Sequence, residues 1–150
     1  SDIWEQHPNI NFLSPVALAV LPDGRLVGSD NGYIRIHTVS DGKFTNTAII
    51  RATYVPRSIS RYDCIDEVPI EVDSLAVLSN GYLVSGSSDD GVRIWDPDTC
   101  KKLQIIRSDG GGIVEDYLFT SPQGHLVIIM SGHEFTRIRV IGLYVQPNEL

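Results

Sequence analysis

A ten-residue phrase occurs three times in this chain, and that recurrence limits the fold more than any other feature. Leu18-Ala-Val-Leu-Pro-Asp-Gly24-Arg-Leu-Val27 aligns with Leu75-Ala-Val-Leu-Ser-Asn-Gly81-Tyr-Leu-Val84. A third version reads Leu118-Phe-Thr-Ser-Pro-Gln-Gly124-His-Leu-Val127. Each is followed by a short apolar segment with a central arginine: Ile34-Arg35-Ile36-His37, Val92-Arg93-Ile94-Trp95 and Ile138-Arg139-Val140-Ile141. Self-similarity of this kind marks a stacked architecture, in which one small unit cannot bury its apolar face alone and neighbouring units complete the core. The turn glycines Gly24, Gly81 and Gly124 lie 57 and 43 residues apart, so the first interval is longer by 14 residues, which locates an insertion there.

The unit itself is clearest from Leu75 to Arg107. Its apolar runs are four to seven residues long, too short for a stable helix, and rich in Val, Ile, Leu, Tyr and Trp, which suit a pleated, half-buried surface. Turn chemistry separates them: Asn80-Gly81, then Asp90-Gly91, then Pro97-Asp98. The expectation is a four-stranded antiparallel meander with strands near 73–78, 82–87, 92–96 and 101–107. The first unit gives strands near 16–21, 25–29, 33–38 and 45–52, and the third near 114–120, 125–130 and 136–142, with a fourth strand short or absent.

Leu83-Val84-Ser85-Gly86-Ser87, Asp89 and Val92-Arg93-Ile94-Trp95-Asp96 give this middle unit its family resemblance. It resembles a WD40 repeat, named for its closing Trp-Asp pair, and the 43-residue interval lies within the roughly 40–45 of such a blade. The resemblance implies an all-β fold of antiparallel four-stranded propeller blades, here about three, spanning approximately 16–53, 72–107 and 114–145. It also implies a buried network in which Asp89 and Trp95 take two places and Ser85 or Ser87 a third. No histidine stands upstream in the position the family uses. The outer copies drift, with His37 and Ile141 in the Trp position and Asn31 in that of the hairpin Asp. In the family a chain often begins with the outermost strand of its last blade, a part residues 10–13 can take. A phrase of the form Asp-Gly-x-Leu-Val also occurs in NHL-like propellers.

Closed propellers have roughly four to eight blades, so three cannot close. The sequence therefore implies either continuation in a longer chain or self-association that completes the ring. Two copies pairing head to tail give six blades.

The insertion, 54–71, carries Arg57, Arg61 and Tyr62, then Asp63, Asp66, Glu67 and Glu71. Propeller topology puts it on the same face as the Asn31-Gly32, Asp89–Gly91 and Ser131–Thr136 hairpins. The expected protein-binding residues are Arg57, Arg61, Tyr62 and Asp66, joined by Asp30, Ser88, His133 and Glu134. Arg51, Arg57 and Arg61 suit bidentate hydrogen bonds to an acidic or phosphorylated peptide, or pair with the acidic half of the insertion.

Catalytic readings are thin. Ser85, Ser87, Ser88, Asp89 and His37 lack a Gly-x-Ser-x-Gly elbow, and Gly110–Gly112 lacks the Lys-Ser/Thr of a phosphate loop. His125, His133 and Glu134 are too few for a supported metal site, and the acidic run 63–73 matches no calcium-loop spacing. No catalytic residue, cofactor or metal is expected. A net charge of −7 weighs against nucleic acid or an anionic membrane as the main partner, and no apolar run approaches the roughly 20 residues of a membrane span. Cys64 and Cys100 fall on connections expected at opposite ends of a blade, and two free thiols suit a reducing, cytoplasmic setting. The function expected is a non-enzymatic scaffold that displays loops to a protein partner. The alternatives are an NHL-like hydrolase or lyase with a metal in the channel, and a purely structural segment of a larger scaffold.

Overall fold

In a computed structural model of the chain, residues 17–30, 32–52, 54–59, 64–69, 71–87, 91–107, 117–131 and 136–142 are described. Thirteen strands and no helix occur among them. The first sheet contains β1 (Leu18–Val20), β2 (Leu26–Asp30), β3 (Tyr33–Ser40) and β4 (Lys43–Arg51), in that spatial order. The second contains β7 (Val72–Val77), β8 (Leu83–Ser87), β9 (Gly91–Trp95) and β10 (Lys102–Arg107), again a simple meander. The third contains β11 (Tyr117–Thr120), β12 (Leu126–Ser131) and β13 (Thr136–Ile141). All pairings are antiparallel. The fold is all-β, a run of antiparallel blades that does not close into a ring.

The recurring phrase folds into the same turn each time. Gly24, Gly81 and Gly124 donate their N–H to the carbonyls of Leu21, Leu78 and Ser121, each at 2.9 Å. Their φ angles of 92°, 90° and 84° explain why glycine stands there. Leu21, Leu78 and Ser121 in turn bond Arg25, Tyr82 and His125, closing a three-residue loop. Asp23 Oδ1 and Asn80 Oδ1 cap the N–H groups of Arg25 and Tyr82, and Ser121 Oγ caps that of His125.

Two apolar seams hold the sheets together. Val27, Ile34, Ile36 and Ile50 of the first sheet pack with Leu75, Leu83 and Trp95 of the second. Val84, Val92 and Ile94, on the opposite face of the second sheet, pack with Leu118, Leu126 and Ile128 of the third. The central sheet is thus covered on both sides, and every residue of β8 and β9 is buried. Among the described residues, each of its neighbours packs into one seam only.

The fourth strand of the first sheet starts at Lys43, two residues earlier than the β-branched run suggests. Asp41-Gly42, with φ of 52° and 71°, makes a two-residue turn that pairs Ser40 directly with Lys43. The insertion differs more from its sequence expectation. Tyr54–Ile59 and Cys64–Pro69 form β5 and β6, a separate two-stranded antiparallel hairpin, where the sequence reads as a long connection. Pro56 and Pro69 disguise it, because proline lacks the N–H of a central strand and is tolerated on an edge. The expected strand at 10–13 lies outside the described residues.

Candidate functional site

The hairpin β5–β6 leaves and re-enters the stack at the rim between the first two sheets. At its start, Ala52 donates its N–H to the carbonyl of Gly32 at 2.8 Å, which ties it to the β2–β3 turn. At its end, the carbonyl of Val72 accepts a 2.8 Å hydrogen bond from the buried Ser29 hydroxyl, and Ser29 Oγ also accepts from Ala17 N–H at 3.0 Å. Ser29 therefore joins β2, the segment before β1 and the first residue of β7. Sequence reasoning missed it, since a serine in an apolar strand looks like packing until the neighbouring sheet is in place.

Within the hairpin the register sets Arg57 opposite Asp66, with Pro56 opposite Glu67 and Ser58 opposite Ile65. Two of the expected contact residues thus share one cross-strand pair. Arg61, Tyr62, Ser88, His133 and Glu134 lie outside the described residues. Asp30 ends β2 on the same rim, opposite Tyr33, and Tyr33 pairs with Arg51 of β4. Asp30 is buried, with its carboxylate 3.6 Å from Arg35 Nε. The Arg35 guanidinium also stands 5.9 Å from the Tyr33 ring centre, within cation–π range.

The other rim carries a second polar cluster that the sequence gives little reason to suspect. Arg25 donates at 2.7 Å to Asp23 in its own turn, and at 2.7 Å to Asp98 of the β9–β10 turn, bridging the first two sheets. These residues border a cleft of about 470 Å³ with Pro22, Tyr82 and Asp96. The Arg25 backbone N–H, followed by its guanidinium, holds the Asp23 carboxyl below its ordinary value against a modest desolvation. Burial opposes the charge on Arg25, but its hydrogen bonds to Asp98 and Asp23 prevail and raise its pKa. Only the spatial neighbourhood of two turns 73 residues apart reveals this bridge.

Two of the three serines weighed as nucleophiles are packed away, and Ser88 lies outside the described residues. Ser85 and Ser87 are fully buried, and Ser85 Oγ accepts the Trp95 indole N–H at 2.8 Å. Of the two serines open for the third place in the network, Ser85 makes the bond to Trp95. His37 is fully buried as well; burial first, and then the positive charge of Arg35, lower its pKa. Among the described residues no three His, Cys, Asp or Glu side chains gather as metal ligands. Cys100 is a free thiol in the β9–β10 turn, its pKa raised by burial and then by the Asp96 carboxylate.

Comparison with known proteins agrees with this architecture. The family described as "WD domain, G-beta repeat" matches residues 68–96, which span β7 to β9 with their closing Trp95-Asp96. Among solved structures, the WD40 β-propeller domain of Doa1 superposes with a TM-score of 0.56 at 22% identity. That match covers 85% of this chain but 36% of the Doa1 chain, so the present chain spans about a third of its length. No curated protein matches in sequence. The class is therefore an antiparallel β-propeller. More narrowly, residues 68–96 match the WD40 repeat model, and the chain has the fold of an open run of propeller blades.

Proposed function

We propose that this chain is a protein-interaction scaffold whose partner engages the rim bearing the β5–β6 hairpin. WD40 propellers as a class present rigid blades and variable loops to other proteins and are generally non-enzymatic. One observation carries the reading: a hairpin with an arginine set opposite an aspartate at its centre, tied to the rim at its start by the Ala52–Gly32 backbone hydrogen bond and at its end by the Ser29 hydroxyl on the Val72 carbonyl. A lone two-stranded hairpin gains little stability of its own, so its presence at a rim is better explained by recognition than by core building. Arg57, Arg61, Tyr62 and Asp66 form the contact set on the insertion, with Asp30, Ser88, His133 and Glu134 from neighbouring hairpins. The arginines suit a partner segment bearing carboxylates or phosphates, which accept paired N–H donors. The free Cys100 thiol suits a reducing compartment, and we place the protein in the cytoplasm.

The test is quantitative capture from cell extract and titration with acidic and phosphorylated peptides. Arg57→Glu with Arg61→Glu lowers binding at least tenfold while the strand signal in circular dichroism is unchanged. A charge swap, Arg57→Asp with Asp66→Arg, separates recognition from hairpin stability: it keeps opposite charges across the strands and still loses the partner. Wild-type binding by both variants removes the hairpin from the function.

A further inference from the structure

The two outward-facing sides of the sheet stack are built like seams. Each sheet has a leading face, turned toward the sheet before it, and a trailing face, turned toward the sheet after it. Ile34 and Ile36 on the trailing face of the first sheet are completely covered by the second sheet; their repeat equivalents Val92 and Ile94 are 4% and 1% exposed beneath the third. The same positions in the third sheet are Ile138 and Val140, and they stand 67% and 61% exposed. Phe119, also 54% exposed, takes the place of Ala19 and Ala76, both of which pack into the existing seams.

The leading faces follow the same rule. Leu75 and Val77 of the second sheet pack into the first seam. Their equivalents in the first sheet, Leu18 and Val20, are 59% and 61% exposed, and Ile49 is 50% exposed. Every large exposed apolar side chain among the described residues except Leu103 lies on one of the two end sheets. Arg35 and Asp30 of the first sheet are matched to each other at 3.6 Å.

We propose that a second copy of this chain covers both ends, its leading face seating on Phe119, Ile138 and Val140, and its trailing face receiving Leu18, Val20 and Ile49. The proposal rests on reading the chain as an open run of blades. It follows from continuity: trailing face on leading face is the contact the chain already makes twice, and a second copy offers each end the surface its repeat position is shaped to meet. The contact is heterologous, and two copies supply six blades, within the roughly four to eight of closed propellers. An apolar patch of this kind is otherwise a cause of aggregation.

Light scattering on the purified chain tests it. The expected mass is twice the 16.6 kDa of one chain. Ile138→Arg spoils the trailing end and Leu18→Arg the leading end, and each variant alone runs at 16.6 kDa. A mixture of the two regains a 1:1 dimer, because one seam in the mixed pair is intact. Val140→Ser and Val20→Ser give the same pattern if arginine disturbs the sheets. A stable wild-type monomer, open-ended polymers, variants that remain dimeric, or a mixture that stays monomeric would each overturn the proposal. The rim variants at Arg57 and Arg61 leave these masses unchanged, so a failed rim and a failed seam are told apart.

Discussion

Trp95 and Ser85 are joined across β9 and β8 by a buried 2.8 Å hydrogen bond from the indole Nε1 to the serine hydroxyl. Trp95 pairs with Leu83, and Ser85 lies two residues further along β8, so the indole reaches diagonally over one face of the sheet. The first sheet cannot copy this arrangement. His37 stands in the Trp95 position, and Gly28, in the place of Ser85, has no side chain to accept a hydrogen bond.

Removing either partner of that bond strands the other in an apolar seam. Ser85→Ala is expected to lower unfolding free energy by about 1–3 kcal/mol, the usual penalty for a buried donor left unsatisfied. Trp95→Phe also removes packing volume and costs more, about 3 kcal/mol. The double variant Ser85→Ala with Trp95→Phe is less destabilised than the two single losses summed, because the orphaned group is gone in both partners. Urea denaturation of the four proteins checks this; strict additivity sinks the claim that the pair acts as a unit.

Ser29 carries a similar burden at the base of the hairpin. Ser29→Ala leaves the Val72 carbonyl and the Ala17 N–H without the hydroxyl that serves both. The expected cost is about 1–3 kcal/mol. Hydrogen exchange is expected to quicken first at Ala17 and around Val72, ahead of the β8–β9 core. Uniform acceleration across the second sheet would show that Ser29 acts on global stability alone.

Much of this fold was legible in the sequence because its signals are local. Three Gly-centred turns and alternating apolar residues fix the strand pairings, and they do so without reference to distant contacts. Trp95 could be placed by its repeat position, although choosing between Ser85 and Ser87 required the register. The β5–β6 hairpin was hidden by Pro56 and Pro69, whose effect depends on whether a strand lies inside a sheet or alone. The Arg25–Asp98 bridge and the Ser29–Val72 bond join residues 73 and 43 positions apart. No spacing rule reaches across a seam, because that geometry is set by how two sheets pack.

The β3–β4 turn offers a clean measure of backbone strain. Gly42 has a φ of 71°, and a Cβ placed there meets nothing within 4 Å. Gly42→Ala therefore costs only the conformational penalty of a left-handed L-residue, about 1 kcal/mol. Gly42→Asn is expected to recover part of that loss, since asparagine tolerates the region better. Thermal melts that rank Gly, Asn and Ala in this order support the assignment; alanine equal to glycine contradicts it.

His37 makes the stability of the first sheet depend on pH. It is fully buried, and both its burial and the Arg35 charge favour the neutral ring, so its folded pKa lies below the ordinary 6.5. Between those two values the unfolded chain binds more protons than the folded one, and stability rises with pH. The full contribution is present above 6.5 and is lost as pH falls from there toward the depressed folded value. Asp23 is also shifted downward, from 3.8, and its contribution drains away only in stronger acid, so the two windows are separate. Urea midpoints measured from pH 7.5 to pH 5 are expected to decline in the wild type. His37→Leu changes the level of stability but flattens the slope over that range. An unchanged slope would assign the pH dependence to other groups.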